Sequence, residues 1–195
     1  MHPKKTYNDK TDEELMLLLT KREQLAFDEL YHRYSKPMLN FFYRMLNYDR
    51  EKAQDLLHDL FLKIIENPQS FDSSKKFSTW FYTLAGNRIK NEYRKQQIRN
   101  DYAGDLRIAN YNAVELNGES LDKKIFTERL TAELNKLDAE TKMLFNLRFV
   151  EEMPVKEIAA LLDCPEGTIK SRLFYLTRNL SLRLVVYKPE KTETR

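Results

Sequence analysis

Cysteine, glycine, proline and long apolar runs are all scarce in this 195-residue chain. The single cysteine, Cys164, excludes an internal disulfide and a zinc site built from several cysteines, which fits a reducing compartment and predicts a cytoplasmic location. With only 4 Gly and 6 Pro, and few runs of Val, Ile and Thr, the composition favours helices over sheets. The longest aliphatic stretch, residues 15–19, is far too short to cross a bilayer, so no membrane insertion is expected.

The composition that remains predicts an all-α chain of two small domains. Helical periodicity is lost between residues 100 and 121, which predicts a flexible linker between a first domain (1–99) and a second domain (122–186), followed by a tail (187–195). The net charge of +3 is too small to indicate a nucleic-acid partner by itself, so the distribution of charge matters more than its total.

Residues 77–99 form a predicted helix whose character changes halfway. Phe77, Trp80, Phe81 and Leu84 share one helical face, and Tyr82 falls off it. The second half is basic. Such a helix can stack an unpaired base and hold a nucleic-acid backbone. Taken alone, the same pattern is also explained by a core stripe followed by a helix end that favours cations.

Three further helices in the first domain are predicted from local patterns. A capping box at Thr11 and Glu14 predicts a helix start near residue 12, and the same signature at Thr20 and Glu23 predicts a second start. A helix over residues 51–66 has an apolar stripe, while its opposite face carries Asp55, His58, Asp59 and Leu62. An apolar residue among acidic ones suggests a partner surface, although a single exposed leucine is also ordinary.

In the second domain, helices over 155–162 and 166–186 are separated only by Asp163 and Cys164, which indicates a helix-turn-helix rather than an ordinary helical hairpin. Before them, Ile125 is predicted on an apolar face with three leucines, and Asp138 is the predicted N-cap of a helix whose apolar residues include Phe149. The last helix has a predicted buried stripe of Ile169, Leu173, Leu176, Leu180 and Leu184. Its opposite face is predicted to carry Gly167, Ser171, Phe174, Tyr175 and Arg178, flanked by Lys170 and Arg172, a mixture that suits a major groove.

The segment AALLDCPEGTIKSRLFYLTRNL resembles the second DNA-binding region of extracytoplasmic-function (ECF) sigma factors, a branch of the sigma-70 family of bacterial transcription initiation factors. The segments AFDELYHRYSKPMLNFF, AQDLLHDLFLKII and FSTWFYTLAGNRIKNEYRK are similar, in order, to the first conserved domain of that family. The resemblance implies a non-catalytic subunit that binds core RNA polymerase and promoter DNA, with an anti-sigma factor as a further partner and without a cofactor or metal.

The resemblance also implies roles for individual residues. Asp55, His58, Asp59 and Leu62 match the helix face that docks on a coiled coil of core polymerase. The match to the region that captures the single-stranded −10 element covers Phe71, Lys76, Asn87, Arg88, Lys90, Asn91, Arg94 and Lys95. The match to the −35 recognition helix covers Thr168, Lys170, Ser171, Arg172, Phe174, Tyr175 and Arg178. For Trp80, two positions remain open: the wall where the duplex opens, or the core.

Two alternatives differ in class. A helix-turn-helix regulator beside a helical sensor domain would bind duplex DNA but would need neither a docking face nor a strand-capturing helix. An enzyme is poorly supported, because the sequence lacks a phosphate-cradling glycine loop and its histidines, His2, His32 and His58, lack ligand-like spacing.

Overall fold

The computed structural model describes the backbone of residues 7–103 and 121–185 and the side chains of residues 7–98 and 124–185. Every regular element in these stretches is helical, as predicted. The chain divides into two compact units: helices α1 to α4 form the first, and α5, α6, α8 and most of α7 form the second. Residues 104–120 of the predicted linker and the predicted tail lie outside the described residues.

The first unit begins with a capped helix. Helix α1 spans Asp12–Thr20, and its capping box forms as predicted: the Glu14 amide donates to Thr11 Oγ1 at 3.2 Å and the Thr11 amide donates to Glu14 Oε2 at 2.9 Å. The second predicted capping box is wrong. Thr20 is the last residue of α1, and its hydroxyl donates to the Leu17 carbonyl at 2.7 Å instead.

Three longer helices complete this unit. Helix α2 spans Gln24–Met45 with Pro37 inside it, α3 spans Arg50–Glu66, and α4 spans Phe77–Ala103. A short 3₁₀ turn, Pro68–Ser70, lies between α3 and α4. Helix α4 therefore extends into the segment predicted as linker.

Aromatic rings from α2, α3 and α4 form the core of the first unit. Phe77 and Phe81 are fully buried and stack with ring centroids 5.3 Å apart, so the first half of α4 builds the fold, as predicted. Tyr82, predicted to lie off the buried face, is instead only 6% exposed, because Phe41 of α2 packs against its ring at 5.3 Å. Trp80 is half-buried and contacts the rings of Phe71 and Phe77.

Helix α1 fastens the start of α4. The Glu13 carboxylate accepts a hydrogen bond from the Phe77 amide at 2.9 Å and so satisfies a donor at the N-terminus of α4. Arg33 of α2 binds Asp12 of α1 at 2.8 Å and Glu29 of its own helix at 2.7 Å. These contacts join α1, α2 and α4 through charged groups that are largely shielded from water.

The second unit contains four helices and one wide turn within residues 121–185. Helix α5 spans Leu121–Asn135, α6 spans Ala139–Phe145, α7 spans Val155–Leu162 and α8 spans Glu166–Leu184, with a π-helical turn over Asn146–Val150. Asp138 caps α6 as predicted, accepting from the Thr141 amide at 2.9 Å. Ile125, predicted on the apolar face with the leucines, is instead 40% exposed, and Phe126 packs on the core. Phe149, predicted in the helix that Asp138 caps, lies in the π-helical turn that follows α6 and is 46% exposed.

Lys142 is a charged residue inside the second unit. Its side chain is 3% exposed, and its Nζ donates to Asn135 Oδ1 at 2.8 Å, which ties α6 to the end of α5. Burial lowers the pKa of Lys142 from 10.5 to about 8, because removing the ammonium from water disfavours its charged form.

Replacing Lys142 with methionine is expected to raise the free energy of unfolding at pH 7 by about 1–3 kcal/mol, because methionine needs no desolvation of a charge. The gain should shrink from pH 8 towards pH 10.5, because the unfolded wild-type chain then binds a proton that the folded chain has lost. Calorimetric unfolding of the full chain between these pH values checks this. Lys136→Met, at an exposed lysine in the same connection, is the control, with an expected change under about 0.5 kcal/mol. A gain independent of pH would contradict the prediction.

Within residues 7–103 and 121–185, none of the helices combines the length and apolar character that a bilayer span requires. The same described stretches contain no group of His, Cys, Asp and Glu side chains suited to hold a metal ion.

Candidate nucleic-acid interface and docking face

The tight connection between α7 and α8 has helix-turn-helix geometry. Asp163 ends α7 in the left-handed conformation, with φ 51° and ψ 50°. The Cys164 amide donates back to the Ala159 carbonyl at 3.0 Å, so the turn closes with a satisfied backbone. Asp adopts this conformation more readily than most residues other than glycine, so the turn is compatible with the residue found there.

Helix α8 separates cleanly into a buried and an exposed face. All five residues of the predicted stripe, from Ile169 to Leu184, are at most 9% exposed. On the opposite side, Phe174 and Tyr175 are 59% and 60% exposed and contact each other edge to face at 5.5 Å. A side chain added at Gly167 would meet no atom within 4 Å, so this face is open at the start of the helix. Both aromatic rings are therefore exposed to solvent.

Polar groups surround these rings. Lys170 lies 3.9 Å from Glu166, and Arg172 lies 3.5 Å from Glu140 of α6. The Ser171 hydroxyl donates to carbonyls of its own helix, which leaves its oxygen able to accept from a base. The exposure of the −35 set is as follows: Thr168 is half-buried, while Lys170, Ser171, Arg172, Phe174, Tyr175 and Arg178 are exposed.

The basic half of α4 presents a second polar surface. Its rotation is fixed by Ile89, which is fully buried, and by Tyr93, whose hydroxyl donates to the Met45 carbonyl of α2 at 2.6 Å. Burial raises the pKa of Tyr93, which keeps this hydroxyl a donor. With that rotation, five of the residues predicted to meet the −10 strand are exposed: Asn87, Lys90, Asn91, Arg94 and Lys95.

Two of the residues assigned to the −10 strand are less exposed than the other members of the set. Phe71 is only 9% exposed, and its ring packs against Phe77 and Trp80. Arg88 is half-buried, and its guanidinium is bound to Asp59 of α3. Lys76, by contrast, is exposed at the end of the same loop.

The loop itself is shaped by Asp72. Its carboxylate accepts from the amide and the hydroxyl of Ser74, at 3.0 and 2.7 Å. These hydrogen bonds favour the ionised carboxylate and lower the pKa of Asp72. A local turn therefore precedes Lys76 and the start of α4.

The structure places all four predicted docking residues, Asp55, His58, Asp59 and Leu62, on the exposed side of α3. Leu62 is 42% exposed, and sequence reasoning missed two apolar neighbours, Ile65 at 47% and Tyr31 of α2 at 45%. The Tyr31 ring contacts Phe61 at 4.9 Å. Ile65 follows Leu62 by one helical step of three residues, a signal that the sequence did contain. The face thus has an acidic edge and an apolar edge.

Two family models match this chain. One, described as Sigma-70 region 2, matches residues 30–99, and the other, described as Sigma-70, region 4, matches residues 127–174. The first match contains the exposed sides of α3 and α4. The second contains the helix-turn-helix and ends at Phe174, so Tyr175 and Arg178 lie beyond it.

Curated relatives agree along most of the chain. It is 28% identical over 163 residues to the ECF RNA polymerase sigma factor SigW of Bacillus subtilis, an alignment that covers 78% of this chain and 86% of the relative. It is also 28% identical over 173 residues to the ECF RNA polymerase sigma-E factor of Escherichia coli strain K12, covering 84% of this chain and 89% of the relative.

Solved structures show the same fold. The sigma factor RpoE bound to the anti-sigma factor NepR from Bartonella quintana matches with a TM-score of 0.71 at 22% identity, covering 83% of this chain and 98% of that one. CnrH in complex with the cytosolic domain of CnrY matches with a TM-score of 0.68 at 19% identity, covering 90% and 97%.

Proposed function

We propose that this chain, which belongs to the ECF branch of the sigma-70 family, docks on core RNA polymerase through α3, captures the −10 strand with α4 and binds the −35 duplex with α8. Its sigma regions 2 and 4 serve promoter recognition in transcription initiation. We assign region 2 to residues 1–99 and region 4 to residues 122–186, with 100–121 as the linker.

The observation that carries the −35 assignment is the exposed aromatic pair on α8. Burying Phe174 and Tyr175 against DNA would remove apolar surface that solvent does not favour, and the methyl group of thymine is an apolar contact in the major groove. Lys170 and Arg172 flank the pair and are placed to hold phosphates. The preceding tight turn is the form in which such a helix is normally presented to a groove.

The −10 assignment depends on the exposed amides of α4. Asn87 and Asn91 each offer a donor and an acceptor to the edge of an extruded base, while Lys90, Arg94 and Lys95 offer charge to the backbone. Unstacking a base costs a few kcal/mol, and these contacts offset that cost only for a separated strand. Opening is therefore driven by binding and requires no catalytic group.

The partner and location follow from the same reasoning. One solved structure of this fold is a sigma factor in complex with an anti-sigma factor, and the other is CnrH in complex with the cytosolic domain of CnrY. The first supports an anti-sigma factor as a partner here. Action on core polymerase favours the cytoplasm, and the chain is a transcription factor rather than an enzyme. A duplex-binding regulator with a sensor domain is the rival, and the docking face of α3 argues against it.

Leu62→Glu is expected to lower the affinity for core RNA polymerase about 10- to 30-fold and to abolish run-off transcription from a genomic promoter library at limiting protein. Binding of core polymerase would then remove water from the added carboxylate, which replaces an apolar side chain of the docking face. Leu17→Glu, at an exposed leucine of α1, is the matched control and should retain activity. If the wild-type chain bound duplex DNA normally but failed to retain core polymerase in a pull-down, the rival function would be preferred.

A further inference from the structure

Arg88 of α4 reaches across to α3 and binds a single residue there in two ways. Its Nη2 donates to the Asp59 backbone carbonyl at 2.8 Å, and its Nη1 lies 3.4 Å from the Asp59 carboxylate oxygen Oδ2. The Arg88 side chain is 24% exposed, whereas the Asp59 side chain is 59% exposed. The short contact to the carbonyl holds the guanidinium in place, and the longer contact to the carboxylate is the weaker one.

This ion pair joins two surfaces with different proposed partners. Asp59 lies on the docking face of α3, beside Asp55 and Leu62. Arg88 lies next to Asn87 on the helix proposed to capture the −10 strand. Because the carboxylate is the more exposed partner, a cation approaching α3 from outside can reach it without moving Arg88.

We propose that Arg88 couples polymerase docking to strand capture, an inference that rests on the proposed function. In the free chain, the Asp59 carboxylate partly neutralises the guanidinium. When a basic residue of core polymerase binds Asp59, the positive charge of Arg88 becomes available to a DNA phosphate. The bond to the Asp59 carbonyl is unaffected, so the Arg88 guanidinium stays beside Asn87 and is available to a phosphate there.

The coupling is reciprocal, as thermodynamic linkage requires: captured DNA strengthens docking by the same factor by which docking strengthens capture. Its size is bounded by the strength of an exposed ion pair, which corresponds to a change of about two- to fivefold in affinity. It is also sensitive to salt, because both the ion pair and the phosphate contact are screened.

Asp59→Asn and Asp55→Asn form a matched pair that tests this. Each removes one negative charge from the same face of α3 by an isosteric change. Of these two carboxylates, that of Asp59 is the one bound to Arg88 in the contacts described above. The probe is a fluorescently labelled single-stranded DNA of random sequence, and its affinity for the full chain is measured over a series of salt concentrations, first without and then with saturating core polymerase.

For the free chain, Asp59→Asn should tighten binding about two- to fivefold relative to Asp55→Asn and steepen the logarithmic salt slope by up to about 0.7, the value for one added phosphate contact on a single strand. With core polymerase bound, the two variants and the wild type should agree. In an Arg88→Ala background, Asp59→Asn and Asp55→Asn should behave alike. Arg88→Lys keeps a positive charge at this position and serves as the control if Arg88→Ala fails to fold.

Equal DNA affinities and salt slopes for the two free single variants would overturn the coupling, as would an Asp59→Asn effect that persists in both the Arg88→Ala and the Arg88→Lys backgrounds. The affinity for core polymerase separates this failure from that of the proposed function. If both asparagine variants weaken docking while DNA binding stays equal, the coupling alone fails. If neither weakens docking, the docking assignment itself is wrong.

Discussion

Replacing both Lys170 and Arg172 with alanine is expected to weaken binding to duplex promoter DNA roughly 10- to 60-fold at 0.1 M salt and to reduce the logarithmic salt slope by about 1.8. Each cation that contacts a phosphate releases about 0.9 counterions, which is worth close to eightfold in affinity at this salt concentration. The lower end of the expected loss of affinity allows for Glu166 and Glu140, whose carboxylates form ion pairs with these two cations in the free chain. Mobility-shift titrations at four or more salt concentrations measure both quantities.

Arg183→Ala is the matched control for this double variant. Arg183 is also an exposed, ion-paired cation of α8, 2.9 Å from Glu133, but it lies C-terminal to every residue assigned to the −35 element. Its replacement should change the affinity less than about twofold. An affinity of the double variant equal to that of the wild type at every salt concentration would exclude α8 as the duplex-binding helix.

Asn87→Ala is expected to reduce the fraction of open complexes about tenfold while changing duplex binding less than twofold. The amide contacts only an extruded base in this proposal, so its loss leaves closed-complex contacts intact and removes about 1–3 kcal/mol from the open complex. Permanganate reactivity of unpaired thymines reports opening, and a mobility shift on the same promoter reports duplex binding.

Asn40→Ala controls for the loss of an exposed amide from the same unit, because Asn40 is an exposed residue of α2 outside the set assigned to the −10 strand. It should give wild-type permanganate reactivity. Equal melting by Asn87→Ala and wild type would refute the base-contact role, whereas a parallel loss of duplex binding would indicate a structural defect.

The faces of α3 and α8 were predictable because each helix packs one side against its own unit. In α8, leucines and one isoleucine recur at three- and four-residue steps. This period determines which residues face water, and it does so independently of which elements pack against the apolar side chains. The exposed positions of Phe174 and Leu62 follow directly. The turn at Asp163 was predictable for a similar local reason, since few residues accept its backbone conformation.

The positions of Tyr82 and Phe71 could not be predicted from local pattern. Tyr82 lies outside the apolar period of α4 but is covered by Phe41, which is contributed by a distant part of the chain. Phe71 lies in a turn-rich loop, yet the start of α4 provides a pocket of aromatic rings for it. In both cases burial depends on tertiary neighbours whose arrangement periodicity does not encode.

The exposed position of Phe149 has a geometric origin. A regular α-helix has 3.6 residues per turn, but the chain forms a wider π-helical turn from Asn146 to Val150. That turn changes the angular positions of the residues within it, and Phe149 and Val150 are exposed. Sequence patterns based on a regular α-helix cannot register such a change.

Charge pairing was equally invisible in the sequence. The run of Arg and Lys in α4 predicted a set of equivalent cations for the DNA backbone. The structure distinguishes them, because Arg88 alone among the described members reaches Asp59, 29 residues earlier in the chain. The sequence could indicate where positive charge accumulates, but it could not indicate which of these cations form ion pairs within the chain.

The contact between Glu13 and the Phe77 amide affects where a fragment of the first unit can be cut. Sequence similarity to region 2 begins at residue 30, yet α1 precedes that point, buries Leu15 and Met16, and supplies the group that caps α4. The packed core of the first unit therefore extends beyond the segment that matches the family model. A fragment that begins at residue 30 would lose the buried side chains of α1 from its core. It would also lose the Glu13 carboxylate, which accepts from the first amide of the proposed DNA-binding helix.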